Sequence, residues 1–202
     1  MRLFAPFILL LLVGCSTQPT VATWLDPVTA VTITAQAQPL VLAPPETRRT
    51  ISGRDYVRMT AIEVNRMGER RLYLIAVLWS NANLSSRQWE AFEQSFARIE
   101  MRIDERPIVL TRHTGDVSEL NIGESPLPLP FPGARQVIFP IDRAELSAMA
   151  ASNGIEVTTL GLPGADLQYE ERKDGRRSLG EFLAQLPGAV ASGERGTASG
   201  GH

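Results

Sequence analysis

The feature that most constrains the fold is the segment of residues 71–80, which is apolar on both faces of an extended strand. Side chains alternate between the two faces of a strand. One face carries Leu72, Leu74, Ala76 and Leu78, and the other carries Tyr73, Ile75, Val77 and Trp79. Because a strand with two apolar faces needs cover on both sides, we predict a central strand. We expect a second sheet on one face and a helix that contains Trp89 on the other.

The same segment is the second arm of a predicted hairpin. Residues 55–65 form the first arm, and Met67-Gly68-Glu69 forms the turn. Two shorter strands, residues 31–34 and 40–42, flank a polar turn and are expected to pair with each other. Further strands are predicted at residues 98–104, 108–110, 137–141, 155–160 and 167–171.

Three short helices are predicted from capping-box pairs, in which a Ser or Asp side chain and a Glu or Gln three residues later cap each other. The pairs are Ser85 with Gln88, Asp142 with Glu145, and Ser178 with Glu181. Each pair precedes a stripe of apolar residues at helical spacing, which favours packing in the core. The stripes contain Trp89, Phe92 and Phe96; Leu146 and Met149; and Leu179, Phe182, Leu183 and Leu186.

Strands joined by hairpins, with few helices, predict a mainly β, α+β fold. We expect an antiparallel β-sandwich or a partly open barrel, with about three short covering helices.

The N-terminal segment has the organisation of an export signal. Arg2 precedes an apolar run that extends from Leu3 to Val13. At about 1.5 Å of rise per residue this run is too short to span a hydrocarbon core about 30 Å thick. Its length is typical of a signal-peptide h-region. Its end, Leu12-Val13-Gly14-Cys15, resembles the lipobox of bacterial lipoproteins.

The resemblance covers only about the first 16 residues and implies a lipid on the Cys15 sulfur, with cleavage before Cys15. Cys15 is the only cysteine, so no intramolecular disulfide competes for it. In proteobacterial lipoproteins, a residue other than Asp after the cysteine implies the outer membrane, and Ser16 fits that class. The expected location is therefore the cell envelope, at the periplasmic face of the outer membrane.

These observations divide the chain into four parts. Residues 1–14 are the expected signal peptide, and residues 15–22 are the lipidated N-terminus and a polar spacer. Residues 23–186 form a single β-rich domain, because this length suits one domain. Residues 187–202 are small and polar, and they predict a disordered tail.

Few residues suggest catalysis or a cofactor. The formal net charge is −2 for the whole chain, which argues against a nucleic-acid partner. No glycine-rich phosphate loop is present, and His113 is the only histidine of the predicted domain, so we expect no cofactor or metal. His113 lies near Asp116, but no G-x-S-x-G nucleophile motif accompanies them. Four carboxylates, Asp55, Glu63, Glu100 and Asp104, lack a spacing diagnostic of a glycosidase.

Two other features fit binding. Residues 125–132 alternate proline with other residues, which excludes a central strand and favours an extended conformation near polyproline II. Leu127, Leu129 and Phe131 then need a surface, either of this domain or of a partner, and are the candidate partner-binding residues. A basic series could contact anionic lipid or polysaccharide, or lie in a solvated loop. It consists of Arg48, Arg49, Arg54 and Arg58.

The sequence thus favours a membrane-anchored lipoprotein with a non-catalytic role in binding or envelope assembly. Its expected partners are the membrane, through the lipid on Cys15, and an envelope protein or polysaccharide. One alternative is a hydrolase that acts on the cell wall or on an exported substrate. Another is a structural subunit of a larger envelope machine.

The lipobox generates a direct prediction. Labelled palmitate should enter the wild-type protein but not the Cys15→Ala variant, because the thiol is the acceptor of the lipid. The variant should also lose stable attachment to membranes, since two or three acyl chains supply firm anchoring. Equal labelling of both proteins would contradict lipidation at Cys15.

Overall fold

The computed structural model describes residues 19–45, 55–115, 120, 122–123 and 127–187. In that part of the chain, ten strands form one antiparallel sheet that three helices accompany. The strands are β1 (Val21–Leu25), β2 (Thr32–Gln36), β3 (Leu40–Ala43), β4 (Asp55–Arg66), β5 (Glu69–Ser80), β6 (Arg98–Ile103), β7 (Arg106–Thr111), β8 (Arg135–Pro140), β9 (Ile155–Thr159) and β10 (Gln168–Lys173). The helices are α1 (Ser86–Ser95), α2 (Arg143–Ala151) and α3 (Arg176–Gln185). None of these helices is long and apolar enough to cross a membrane.

The predicted long hairpin is confirmed. β4 and β5 pair over their whole length, from Asp55 opposite Ser80 to Arg66 opposite Glu69. Met67 and Gly68 both have positive φ, at 51° and 95°, which is the type I′ geometry that matches the twist of two antiparallel strands. The two central residues of this turn therefore fix the register of the hairpin.

The second edge of β4 is shared between two strands. β2 pairs with residues 62–65 of β4, and β3 pairs with residues 57–59. The sheet continues from β2 to β1, and from β3 through β10, β9 and β6 to β7. The expected pairing of residues 31–34 with 40–42 is therefore wrong. Because β4 is twelve residues long, its edge accepts both short strands in succession.

The longer branch curls into a partly open barrel. Its strand order is β8-β5-β4-β3-β10-β9-β6-β7, and β7 returns beside β8. There the His113 N–H donates to the Ile138 carbonyl at 2.7 Å. The main core cluster includes buried side chains from all eight of these strands. The mainly β, α+β class is confirmed, and the sheet takes the form of the barrel alternative.

Pro140 explains why the seam between β7 and β8 opens beyond that bond. The Ile138 carbonyl faces β7, and alternation along a strand directs the backbone of Pro140 to the same side. Pro140 stands where the next N–H would reach the Thr111 carbonyl, and proline has no N–H to donate. Pro107 faces the seam from β7, because the Arg112 N–H bonds in the other direction to Ala97.

The elements that pack against the two faces of β5 differ from the expected ones. The inner face of β5 packs against the far half of the same sheet and against α1, so Trp89 lies on that side as well. The outer face, with Ile75 and Val77, packs against loop residues 120, 122, 127 and 134. The expected second sheet and opposing helix are wrong, because one curled sheet and a connecting loop provide the two covers.

Two of the three predicted helix starts are confirmed. Ser85 and Asp142 form reciprocal capping boxes at the starts of α1 and α2. The third is wrong, because α3 begins at Arg176 with Gly175 as its N-cap. Ser178 is instead buried within α3. The predicted apolar stripes of all three helices pack into the barrel core.

The sheet begins earlier than predicted. Val21 and Ala22, which we expected in the spacer, lie in β1 opposite Gln36 and Ala35. Backbone pairing extends β1 toward the N-terminus, which the polar composition of residues 16–20 did not suggest. The signal peptide with Cys15, and residues 188–202 of the predicted tail, lie outside the described residues.

Gln36 occupies the point where β4 passes from one strand partner to the other. Its side chain is buried, and its Oε1 accepts the Ala61 N–H at 3.2 Å. Its Nε2 donates to the carbonyls of Gln38 at 2.7 Å and Gly175 at 2.8 Å. One amide therefore replaces the backbone bonds that the gap between β2 and β3 leaves unmade.

Replacing Gln36 tests this role. Gln36→Leu keeps a similar volume but leaves buried backbone groups without partners, each at a cost of about 1–3 kcal/mol. We expect a loss of about 3 kcal/mol in the free energy of unfolding, measured by urea denaturation. Gln94→Leu, at an exposed position of α1, is the control and should stay within about 0.5 kcal/mol. Equal effects of the two substitutions would contradict the role of Gln36.

Candidate functional site

The three candidate partner-binding residues have different environments. Leu127 is 9% exposed and packs into the cluster on the outer face of the sheet. Leu129 is 43% exposed and Phe131 is 36% exposed, so both present apolar surface to solvent. The structure thus places Leu127 on the domain's own sheet and leaves Leu129 and Phe131 available for contact.

Side chains of the sheet donate hydrogen bonds to the proline segment. Prolines lack an N–H, so this segment cannot join the strand ladder as an ordinary strand. Its carbonyls accept from the sheet instead: Arg58 Nη2 donates to Pro128 at 2.6 Å, and Gln136 Nε2 donates to Leu127 at 3.2 Å. Burial lowers the pKa of the Arg58 guanidinium from its ordinary value. Arg58 therefore supports the segment, while Arg48, Arg49 and Arg54 of the predicted basic series lie outside the described residues.

An aromatic pair lies at the end of the outer face where the proline segment enters β8. Tyr56 and Trp79 stack with ring centroids 5.3 Å apart and an interplanar angle of 15°. Phe131 starts the turn into β8, because its carbonyl accepts the Ala134 N–H at 3.1 Å. We name Leu129, Phe131, Tyr56 and Trp79 the apolar rim. Sequence analysis missed the pairing of Tyr56 with Trp79, although counting outward from the Met67-Gly68 turn places them opposite each other.

A buried carboxylate fixes the loop that leads to the proline segment. Asp26 is 4% exposed, and its Oδ1 accepts the N–H groups of Val28 at 2.9 Å and Thr29 at 3.0 Å. Its Oδ2 accepts the Gly123 N–H at 2.7 Å. A Cβ at Gly123 would lie 2.6 Å from the Val28 Cβ, so only glycine permits this approach. Asp26 thus ties the connecting loop to the β1–β2 turn.

His113 lies at the seam of the barrel. It lines a groove of about 560 Å³ together with Tyr73, Asp142 and Glu145. Both of these carboxylates cap α2, since Asp142 accepts the Glu145 N–H at 2.7 Å and Glu145 accepts the Asp142 N–H at 3.1 Å. Asp116, which was considered with His113 only for the alternative of a hydrolase, lies outside the described residues.

The four carboxylates considered for glycoside hydrolysis are distributed over β4, β6 and a turn. Glu63 is buried with Arg70 Nη1 at 3.3 Å, and Glu100 pairs with Arg102 at 3.6 Å. Asp104 accepts backbone N–H groups from the α2–β9 connection. Asp55 starts β4 opposite Ser80. Across residues 19–45, 55–115 and 127–187, no group of three or more acidic, His or Cys residues could hold a metal ion.

The Asp26 cluster predicts a pH dependence of stability. Burial alone raises the pKa of Asp26, but the backbone N–H donors of Gly123, Thr29 and Val28 lower it overall from its ordinary value. A lowered pKa stabilises the folded state above the unfolded-state pKa, and this contribution is lost as the pH falls through the folded-state pKa. The melting temperature of Asp26→Asn should therefore lie below that of the wild type at pH 7. The difference should shrink below about pH 4. A pH-independent difference would contradict the role of the charge.

No protein-family model matches the chain, and no match was found among curated proteins or among solved structures. Function is therefore inferred from the residues of this chain.

Proposed function

We propose that this protein is a lipid-anchored component of the bacterial cell envelope that holds a protein partner on the apolar rim. The role is binding or assembly, without catalysis. The lipobox resemblance at residues 12–15 supports the anchoring, and Ser16 supports the periplasmic face of the outer membrane. Leu129 and Phe131 support the docking, since both remain exposed in a segment that is otherwise held to the sheet.

The single observation that carries the docking role is this exposure on a constrained backbone. Leu127 is buried, Pro128 is held by Arg58, and the Phe131 carbonyl closes a turn onto Ala134. A segment ordered before binding loses less conformational entropy when a partner arrives than a flexible loop does. Because proline blocks strand pairing here, the partner is expected to contact side chains and not the backbone.

The stacked aromatic pair supports a protein partner with an apolar surface of its own. Tyr56 and Trp79 are each half-buried, so each keeps part of its surface in solvent, and Trp79 packs against the same outer-face cluster that includes Leu127. Aromatic residues are enriched at the centres of protein interfaces, where they supply a large contact area for few rotatable bonds. Arg58 is already bonded to Pro128, so the rim offers mainly apolar contact.

Single substitutions in the full-length lipoprotein test the docking role. Leu129→Asp and Phe131→Asp should each remove a partner that crosslinks to the wild type in intact envelopes. Their free energy of unfolding should stay within about 0.5 kcal/mol of the wild type, as for surface changes. Met67→Asp is the matched control, because Met67 is fully exposed in the β4–β5 turn and tolerates a polar residue. It should retain the same partner.

Leu127→Asp completes the experiment as a control for folding. It buries a carboxylate without a partner and should cost several kcal/mol, so its loss of crosslinks reflects unfolding. Retention of the complete crosslinked set by both Leu129→Asp and Phe131→Asp, in folded proteins, would overturn the proposed docking surface.

A further inference from the structure

β1 leaves one of its edges without a strand partner among the described residues. It stands at the end of the shorter branch and pairs only with β2. The Thr20 carbonyl accepts the Ala37 N–H at 2.9 Å, and the Asp26 N–H donates to Val31 at 2.8 Å, so even-numbered residues face β2. By alternation, the backbone groups of Val21, Thr23 and Leu25 point away from the sheet.

Among the described residues, this edge carries neither a charge nor a proline, two features that usually prevent strands from associating. Natural edge strands are protected by charged side chains, prolines, bulges or a covering element. The β7 and β8 edges at the seam have such protection from Pro107 and Pro140. β1 has the sequence VATWL, with neither a charge nor a proline. Leu25 is 61% exposed, so apolar surface accompanies the unpaired backbone groups.

We propose that β1 pairs antiparallel with β1 of a second copy of this chain, about a two-fold axis at Thr23. In this register all three outward-facing residues form backbone hydrogen bonds. Val21 lies opposite Leu25 of the second copy, and Thr23 lies opposite Thr23 of the second copy. A two-fold interface places a surface against itself, so charged residues would meet like charges. An uncharged strand avoids this repulsion, and cross-strand Thr pairs and apolar pairs are favourable in antiparallel sheets.

The even-numbered side chains also fit this register. Ala22 is exposed and lies opposite Trp24 of the second copy, which is half-buried in its own subunit. A small residue facing a large one leaves space for the indole beside the joined strands. The apolar rim stays accessible in the pair, since β2 contacts residues 62–65 of β4 whereas Tyr56 lies at the opposite end of that strand. Self-pairing is therefore independent of the proposed docking role.

Disulfide crosslinking tests the register in the full-length protein in membranes. In a hydrogen-bonded antiparallel pair the two Cα atoms lie about 5.5 Å apart, within the range of a disulfide. Thr23→Cys should therefore give, under mild oxidation, a band on a non-reducing gel at twice the mass of the reduced protein. Ala22→Cys is the control, because residue 22 of the second copy is offset by two positions and beyond disulfide reach. The wild type controls for crosslinks through Cys15.

Charge reversal tests the same contact without a covalent bond. Thr23→Lys and Thr23→Glu should each sediment as monomers in detergent, because like charges meet at the axis. An equal mixture of the two should recover the dimer, which simple misfolding of either variant would not allow. Equal crosslinking of Ala22→Cys and Thr23→Cys, or unchanged sedimentation of both charged variants, would overturn the proposal.

Discussion

The structure depends on how the long edge of β4 is divided between β2 and β3. Twelve residues of β4 pair with β5 on one side, and two short strands share the other side. The gap between them is closed by Gln36, which also reaches the Gly175 carbonyl at the start of α3. Ser178 of α3 donates to Thr20 and accepts from Gln38 close to the same point. One polar junction therefore joins both branches of the sheet to the helix that covers the barrel.

Local patterns predicted the elements, but distant pairings had no signal in the sequence. The two apolar faces of residues 71–80 and the Met67-Gly68 turn indicated a central hairpin, because both features act within one segment. The partners of residues 31–34 and 40–42 depend on β4, which nothing local specifies. Ser178 has capping-box spacing, yet its hydroxyl serves backbone groups of other elements. At the candidate site, alternation identified Leu127, Leu129 and Phe131 as one set, but it did not separate the buried Leu127 from the exposed Leu129 and Phe131.

Proline acts in two places of this fold by removing a backbone donor. At the seam, Pro140 ends the contact between β7 and β8 one step beyond the His113–Ile138 bond. In the proline segment, the missing donors leave carbonyls that Arg58 and Gln136 bind through their side chains. The same chemistry thus keeps the barrel partly open and holds an apolar segment outside it, where Leu129 meets solvent.

The pairing of β3 with β10 has a consequence for the order in which the chain folds. Leu42 pairs with Glu171, so a strand near the beginning of the domain can pair only when a strand near its end is present. Contacts between residues far apart in sequence form late, because a long loop must close first. The β4–β5 hairpin needs only its own turn and can nucleate early. The barrel can close only after nearly the whole chain is available, and until then the apolar inner face of the hairpin stays open to chaperones or to aggregation.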